Sequence, residues 1–214
     1  MFAVVLAWLA LLTTTRGAQA SSEPCGASPD WSSLCNVEPE LRQPFLMIEQ
    51  VVDLSYSRDR LSRIVRDRNV TIDWDWNAAS AIHLGAYLPR SGQVLVAARV
   101  RGEPARVEAS ILAHELWHAY GSWQGQYRPF TEASCLADER AAFMTGLLYY
   151  NRLLTQSGDA RPGSPLDDLM MQIDARWRLS GGDQAALEAI ADDHLGVDGY
   201  HQYCAQFGPS PRAA

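Results

Sequence analysis

Ten consecutive residues, Ile111 to Tyr120, carry one charged side chain, Glu115, in a run that is otherwise apolar or small apart from His114 and His118. A stretch of that composition belongs in a protein interior, so its three polar side chains need a reason to be there. The spacing supplies one. In an α-helix, residues four apart share a face about one turn apart, so His114 and His118 can aim ring nitrogens at one point. Glu115 lies beside them on the helix surface and can hold a water without being a ligand. His-Glu-x-x-His also arises by chance in exposed, charged helices, and the apolar flanks separate this instance from those. Two histidine ligands, a neighbouring carboxylate and an open position make a catalytic zinc site.

Two histidines leave such a metal one protein ligand short. Downstream, Glu139 follows His118 at a distance that allows a loop and a returning helix to cross the metal. Its helical face also carries Cys135, Ala142, Phe143 and Gly146, a neighbourhood suited to a buried carboxylate. Asp138 is displaced by about 100° and is expected to face solvent or pair with an arginine. Glu132 shares the face of Glu139 but lies about 10 Å away along the axis. Glu139 therefore ranks first as third ligand, with Glu132 and Asp138 behind it. The cofactor this implies is one Zn2+ per chain.

The chain has 214 residues, enough for one domain with a real core. Its net charge of -7 comes without a dense basic cluster, which excludes nucleic acid as the expected partner. Phe2 to Leu12 is an apolar run, followed by the small-x-small triplet Ala18-Gln19-Ala20. It reads as a secretory signal peptide over 1–20, too short for a comfortable membrane span. Export makes the protein secreted, extracellular or periplasmic, with no stable membrane association after cleavage. In that setting the four cysteines are expected as two disulfides, Cys25–Cys35 closing a short loop and Cys135–Cys204 tying the tail to the body. Each contributes about 3 kcal/mol.

Residues 21–43 read as a Ser-, Pro- and Cys-containing loop segment, and 44–214 as a single domain. From Pro44, apolar residues recur at helical intervals. Three strand candidates follow: Val70 to Trp76, with Val70, Ile72, Trp74 and Trp76 on one face, then Ile82 to Leu88, then Gln93 to Val100. Pro89-Arg90-Ser91-Gly92 joins the last two as a turn. Gly102-Glu103-Pro104 opens the histidine helix, Thr131 caps a second helix to about Leu154, and further helices lie near Pro165 to Leu179 and Asp183 to Leu195. The fold class is α+β: a small mixed or antiparallel sheet, the motif helix, then a mainly helical C-terminal half.

His114-Glu115-x-x-His118 followed by Glu139-x-x-Ala142 resembles the gluzincin zinc metallopeptidases, and the order strand, turn, strand, motif helix over Val70 to Leu148 is similar to small bacterial proteins of that kind. The resemblance implies a zincin-like fold and a peptide or protein substrate cleaved through a zinc-activated water, with Glu115 as general base. It also implies a strand along the cleft whose edge pairs with substrate, a part that falls to Gln93 to Val100. A further donor is expected at the oxyanion; by residue type the candidates are His201 and Tyr200, then Tyr203, Tyr149 and His194. His83 is expected to be structural, and Trp123 is a candidate for the cleft wall. The chain is expected to act as a monomer. The competing class is a zinc-stabilised extracellular binding module without turnover; Glu115 favours the enzyme, since a structural site has no need of a base.

Overall fold

The computed structural model describes residues 34–51, 61–76, 84–124, 131–158, 161–197 and 199–206. The expected leader over 1–20, Cys25 and His83 lie outside them.

Helix α3 (Ala105–Trp123) is the element around which the others pack, and its sequence shows why. Val107, Ala109, Ile111, Leu112, Ala113, Leu116 and Ala119 are all buried, and Glu108, Ser110, Glu115 and His118 are buried on the faces between them. A helix buried around its whole circumference must be covered on all sides. Helices α1 (Arg42–Gln50) and α2 (Leu61–Asp67), strands β2 (Gly85–Leu88) and β3 (Gln93–Ala97), and helices α4 (Glu132–Ser157) and α5 (Pro165–Leu179) supply the cover. Phe45 and Ile48 of α1, Ile64 and Val65 of α2, and Tyr149, Tyr150 and Leu153 of α4 complete one core with it.

The sheet is mixed, as expected, in the order β1-β3-β2, with β1 at Thr71–Asp75. Strand β3 runs parallel to β1 and antiparallel to β2. Gly92, at φ 65°, closes the expected turn between β2 and β3, where the Leu88 carbonyl accepts from Gly92 N–H at 2.9 Å. The alternation in β1 holds for Val70, Ile72 and Trp74, which are buried. Trp76 departs from it. The strand ends at Asp75, so Trp76 turns out to solvent, 65% exposed, with the Arg101 guanidinium 5.7 Å from its ring.

Part of the segment read as loop is built into this body. Leu34, Val37 and Leu41 are buried, Val37 bridges to Ile72, and α1 begins at Arg42 rather than at Pro44. Thr131 caps α4 as expected: its hydroxyl accepts from Ser134 N–H, and the Ser134 hydroxyl accepts from Thr131 N–H. Helix α6 (Gln184–Val197) covers a smaller cluster of Met144, Leu147, Leu187 and Ala191. The tail folds as a short helix, α7 (Tyr200–Ala205), joined to α4 by the expected Cys135–Cys204 disulfide.

One polar network is buried with the core. Asp167 of α5 pairs with the Arg106 guanidinium of α3 and accepts from the Tyr150 hydroxyl at 2.7 Å and from Gly163 N–H at 2.7 Å. Burial alone would raise the Asp167 carboxyl, but these donors outweigh it and hold the carboxyl below its ordinary value. A carboxyl lowered on folding contributes stability in full above its unfolded value, about pH 4, and loses it as pH falls through the folded value. Unfolding midpoints are therefore expected to drop as pH is lowered below about 4, and Asp167→Asn should cost about 3 kcal/mol at pH 7 in urea titrations by leaving Arg106 buried and unpaired.

Candidate metal centre

Helix α3 places His114 and His118 one turn apart with their Nε2 atoms 3.2 Å from each other. Helix α4 brings Glu139 across from them. Its Oε2 lies 3.4 Å from His114 Nε2 and 3.6 Å from His118 Nε2. His118 and Glu139 are buried and His114 is partly so, and the three donors form a group that could hold a metal ion. All three were identified in the sequence for that role.

The approach of the helices depends on a residue without a side chain. A Cβ on Gly146 would lie 3.0 Å from the Ser110 carbonyl oxygen and 3.3 Å from its hydroxyl. Without one, the Ser110 hydroxyl reaches the Gly146 carbonyl at 2.9 Å.

Asp138 departs from its expected place. Rather than facing solvent or an arginine, its Oδ2 lies 2.7 Å from His118 Nδ1. A carboxylate can only accept, so Nδ1 carries a hydrogen and Nε2 is the nitrogen turned inward toward His114 and Glu139. This is the arrangement in which an outer carboxylate fixes the tautomer and orientation of a metal-binding histidine. Glu132, the other alternative ligand, is half exposed and pairs with His201 at 3.2 Å, away from the donor triangle.

The charges at the site oppose one another. Burial pushes His118 down, but the bond to Asp138 and the charges of Glu139 and Glu115 outweigh it and raise its pKa well above 6.5. Burial would likewise raise Glu139, yet the two histidines hold it far below the ordinary carboxylate range. Glu115 goes the other way: burial raises it, the two histidines oppose, and the charge of Glu139 adds to the rise. Its Oε1 is 4.0 Å from His114 Nε2, beside the donors rather than among them.

Strand β2 fixes Glu115 from outside. The backbone N–H of Tyr87 donates to its carboxylate, and a Cβ on Gly85 would come within 2.8 Å of its Cγ and Oε1. A glycine is required there because the strand lies directly on the side chain. This corrects the strand assigned to the cleft. Strand β3, expected in that part, has β1 on one side and β2 on the other, so its backbone is committed to the sheet. It is the outer edge of β2 that meets Glu115.

Of the expected oxyanion donors, His201 is exposed and paired with Glu132, and Tyr200 lies near His194, which stacks on Phe143 at 4.2 Å. Tyr149 is buried in the core. Tyr203 is placed differently: burial and the charges of Glu139, Glu115 and Asp138 together push its phenol up to about 12. Trp123, a candidate for the cleft wall, sits at the C-terminal end of α3 with the Arg68 guanidinium 5.0 Å from its ring. No family model, curated protein or solved structure matches the chain.

Asp138→Ala should lower metal affinity about 10- to 100-fold, and Glu139→Ala by more, while Glu132→Ala leaves it unchanged; competition with a chromophoric chelator measures all three. Because the surroundings of His118 favour its protonated form and a metal needs its lone pair, metal uptake should release protons and tighten as pH rises. Calorimetry in buffers of different ionisation heat counts those protons.

Proposed function

We propose that this chain is an exported, zinc-dependent hydrolase of the gluzincin kind that cleaves peptide bonds, with His114, His118 and Glu139 holding one zinc ion and Glu115 as general base. The observation that carries the reading is the donor triangle with a separate, buried carboxylate beside it. A tetrahedral zinc with donor bonds of about 2.0–2.2 Å sets its donors roughly 3.3–3.6 Å apart. The separations here are 3.2, 3.4 and 3.6 Å. Two imidazoles and one carboxylate suit zinc better than calcium or magnesium, which favour shells of oxygen alone. When bound, zinc supplies a Lewis acid that makes a water nucleophilic near neutral pH and polarises a carbonyl.

The residues of the chain account for the other tasks. Glu115 is raised toward the range in which a carboxylate takes and returns protons at useful rates. It accepts a proton from the attacking water and passes it to the leaving amine. The Tyr87 N–H and the absent side chain at Gly85 hold its carboxylate in place. Asp138 keeps His118 in one tautomer through the cycle. A peptide laid along the outer edge of β2 as an added strand would be delivered to Glu115, which makes an extended peptide the substrate that fits. The Cys135–Cys204 disulfide fits an oxidising compartment. Among the described residues no helix is long and apolar enough to cross a membrane.

Glu115→Gln should retain one zinc per chain and lower kcat on a peptide library by about 100-fold or more, whereas His118→Ala should lose metal and turnover together. Full cleavage by a zinc-loaded Glu115→Gln protein would remove Glu115 from its role. Zinc binding without any turnover in the natural chain would favour a metal-stabilised binding module.

A further inference from the structure

Helix α2 ends at Asp67 and helix α3 at Trp123, and beside these two ends lies a cavity of ≈ 320 Å³. Small-molecule sites begin at about that size. It is separate from the metal centre. Tyr120, which lines it, follows His118 by two residues, about 200° around the helix. That side of α3 meets α2, whereas the histidines meet Glu139 of α4.

One wall of the cavity is apolar. The Tyr120 and Trp123 rings stand 5.8 Å apart between centroids, and Ile64 of α2 is buried beside the same space. Trp123 is 42% exposed, so much of its surface is open to a ligand rather than used by the core. The rim is cationic. The Arg68 guanidinium lies over the Trp123 ring, 5.0 Å from its centroid. Such a contact draws on the charge and leaves the planar N–H fork, which matches a carboxylate, for another partner. Arg101, Arg106, Arg140, Arg176 and Arg178 each pair with a carboxylate, whereas among the described residues none pairs with Arg68. Arg63 brings a second guanidinium to the lining and Asp67 a single carboxylate, so positive charge prevails.

We propose that this cavity binds a carboxylate carried on an apolar or aromatic body, with the Arg68 fork on the carboxylate and Tyr120, Trp123 and Ile64 around the body. Two sources share that chemistry: a free aromatic acid, and the C-terminal residue of a peptide. The binding needs no metal and stands apart from the hydrolase reading.

The test uses the full chain with labelled tryptophan and Glu115→Gln, so that no added peptide is consumed. The indole N–H signal missing from Trp123→Phe reports on the cavity by NMR. Phenylacetate stands for a free acid and Gly-Gly-Phe for a chain end, each beside its amide as the uncharged counterpart. At least one of the two acids should move the Trp123 signal saturably at about 1 mM or below, and its amide should bind about 10-fold or more weakly. Whichever acid binds more tightly identifies the source. Arg68→Gln should weaken binding of that acid about 10- to 100-fold and leave binding of the amide unchanged; a merely structural role for Arg68 would move both alike. A Trp123 signal indifferent to both acids, equal binding of acid and amide, or full acid binding by Arg68→Gln would each overturn the assignment. None of these readouts involves peptide cleavage, so they leave the hydrolase reading to its own test.

Discussion

The contact between α3 and α4 at Ser110 and Gly146 sets the scale of the centre. The histidines are on one helix and Glu139 on the other, so the separation of the helix axes decides whether three donors meet. Gly146 is seven residues beyond Glu139 on the same helix, about 10 Å along the axis. Helices are stiff over two turns, and a displacement forced at Gly146 would be carried to the carboxylate. The Ser110 carbonyl against Gly146 is backbone and cannot swing aside. Gly85 holds the other flank in the same way, since the nearest atoms to its missing Cβ belong to Glu115. Two positions without side chains thus frame the site, one for the ligand and one for the base.

The electrostatics of that small volume are unbalanced as they stand. Glu115, Glu139 and Asp138 are three carboxylates around two histidines, in surroundings where burial is the first influence on Glu115, His118 and Glu139 alike. The shifts run in opposite directions: His118 and Glu115 are raised, while Glu139 is lowered between the imidazoles. A divalent cation in the triangle would add a fixed positive charge among these carboxylates. The same crowding that makes the metal-free cluster costly makes it receptive to a cation.

The parts of this arrangement legible in the sequence are those governed by periodicity within one element. His114, Glu115 and His118 follow from four-residue spacing in an apolar helix, and Glu139 from the buried face it shares with Cys135 and Ala142. The α+β class, the turn at Gly92, the Thr131 cap and the Cys135–Cys204 pair were legible for similar reasons. What failed depended on geometry between elements. Asp138 was judged by its angle to Glu139 alone, but the His118 ring is wide enough to present one nitrogen to each of two adjacent residues. The order of elements in the chain points to β3, the strand nearer the motif helix, whereas β2 is the one that meets Glu115, because strand order is invisible in a list of strands. Leu34, Val37 and Leu41 lay hidden among polar neighbours, and Val37 enters the core by bridging to β1 rather than through a periodic element of its own.

A site that buries charge and depends on close backbone contacts lowers stability, and the surrounding fold offsets that cost at a distance. The Cys135–Cys204 disulfide closes a loop with a sequence separation of 69, which in the chain-entropy account is worth about 4 kcal/mol. The Arg106–Asp167–Tyr150 network binds α3, α4 and α5 at the end of α3 away from His118. Neither feature supplies a donor to the triangle. Their placement leaves the two helices clamped at separate points along their length, by Gly146 against Ser110, by Tyr150 through Asp167, and at Cys135 through α7. The donors therefore meet in a frame set by contacts that lie outside the triangle itself.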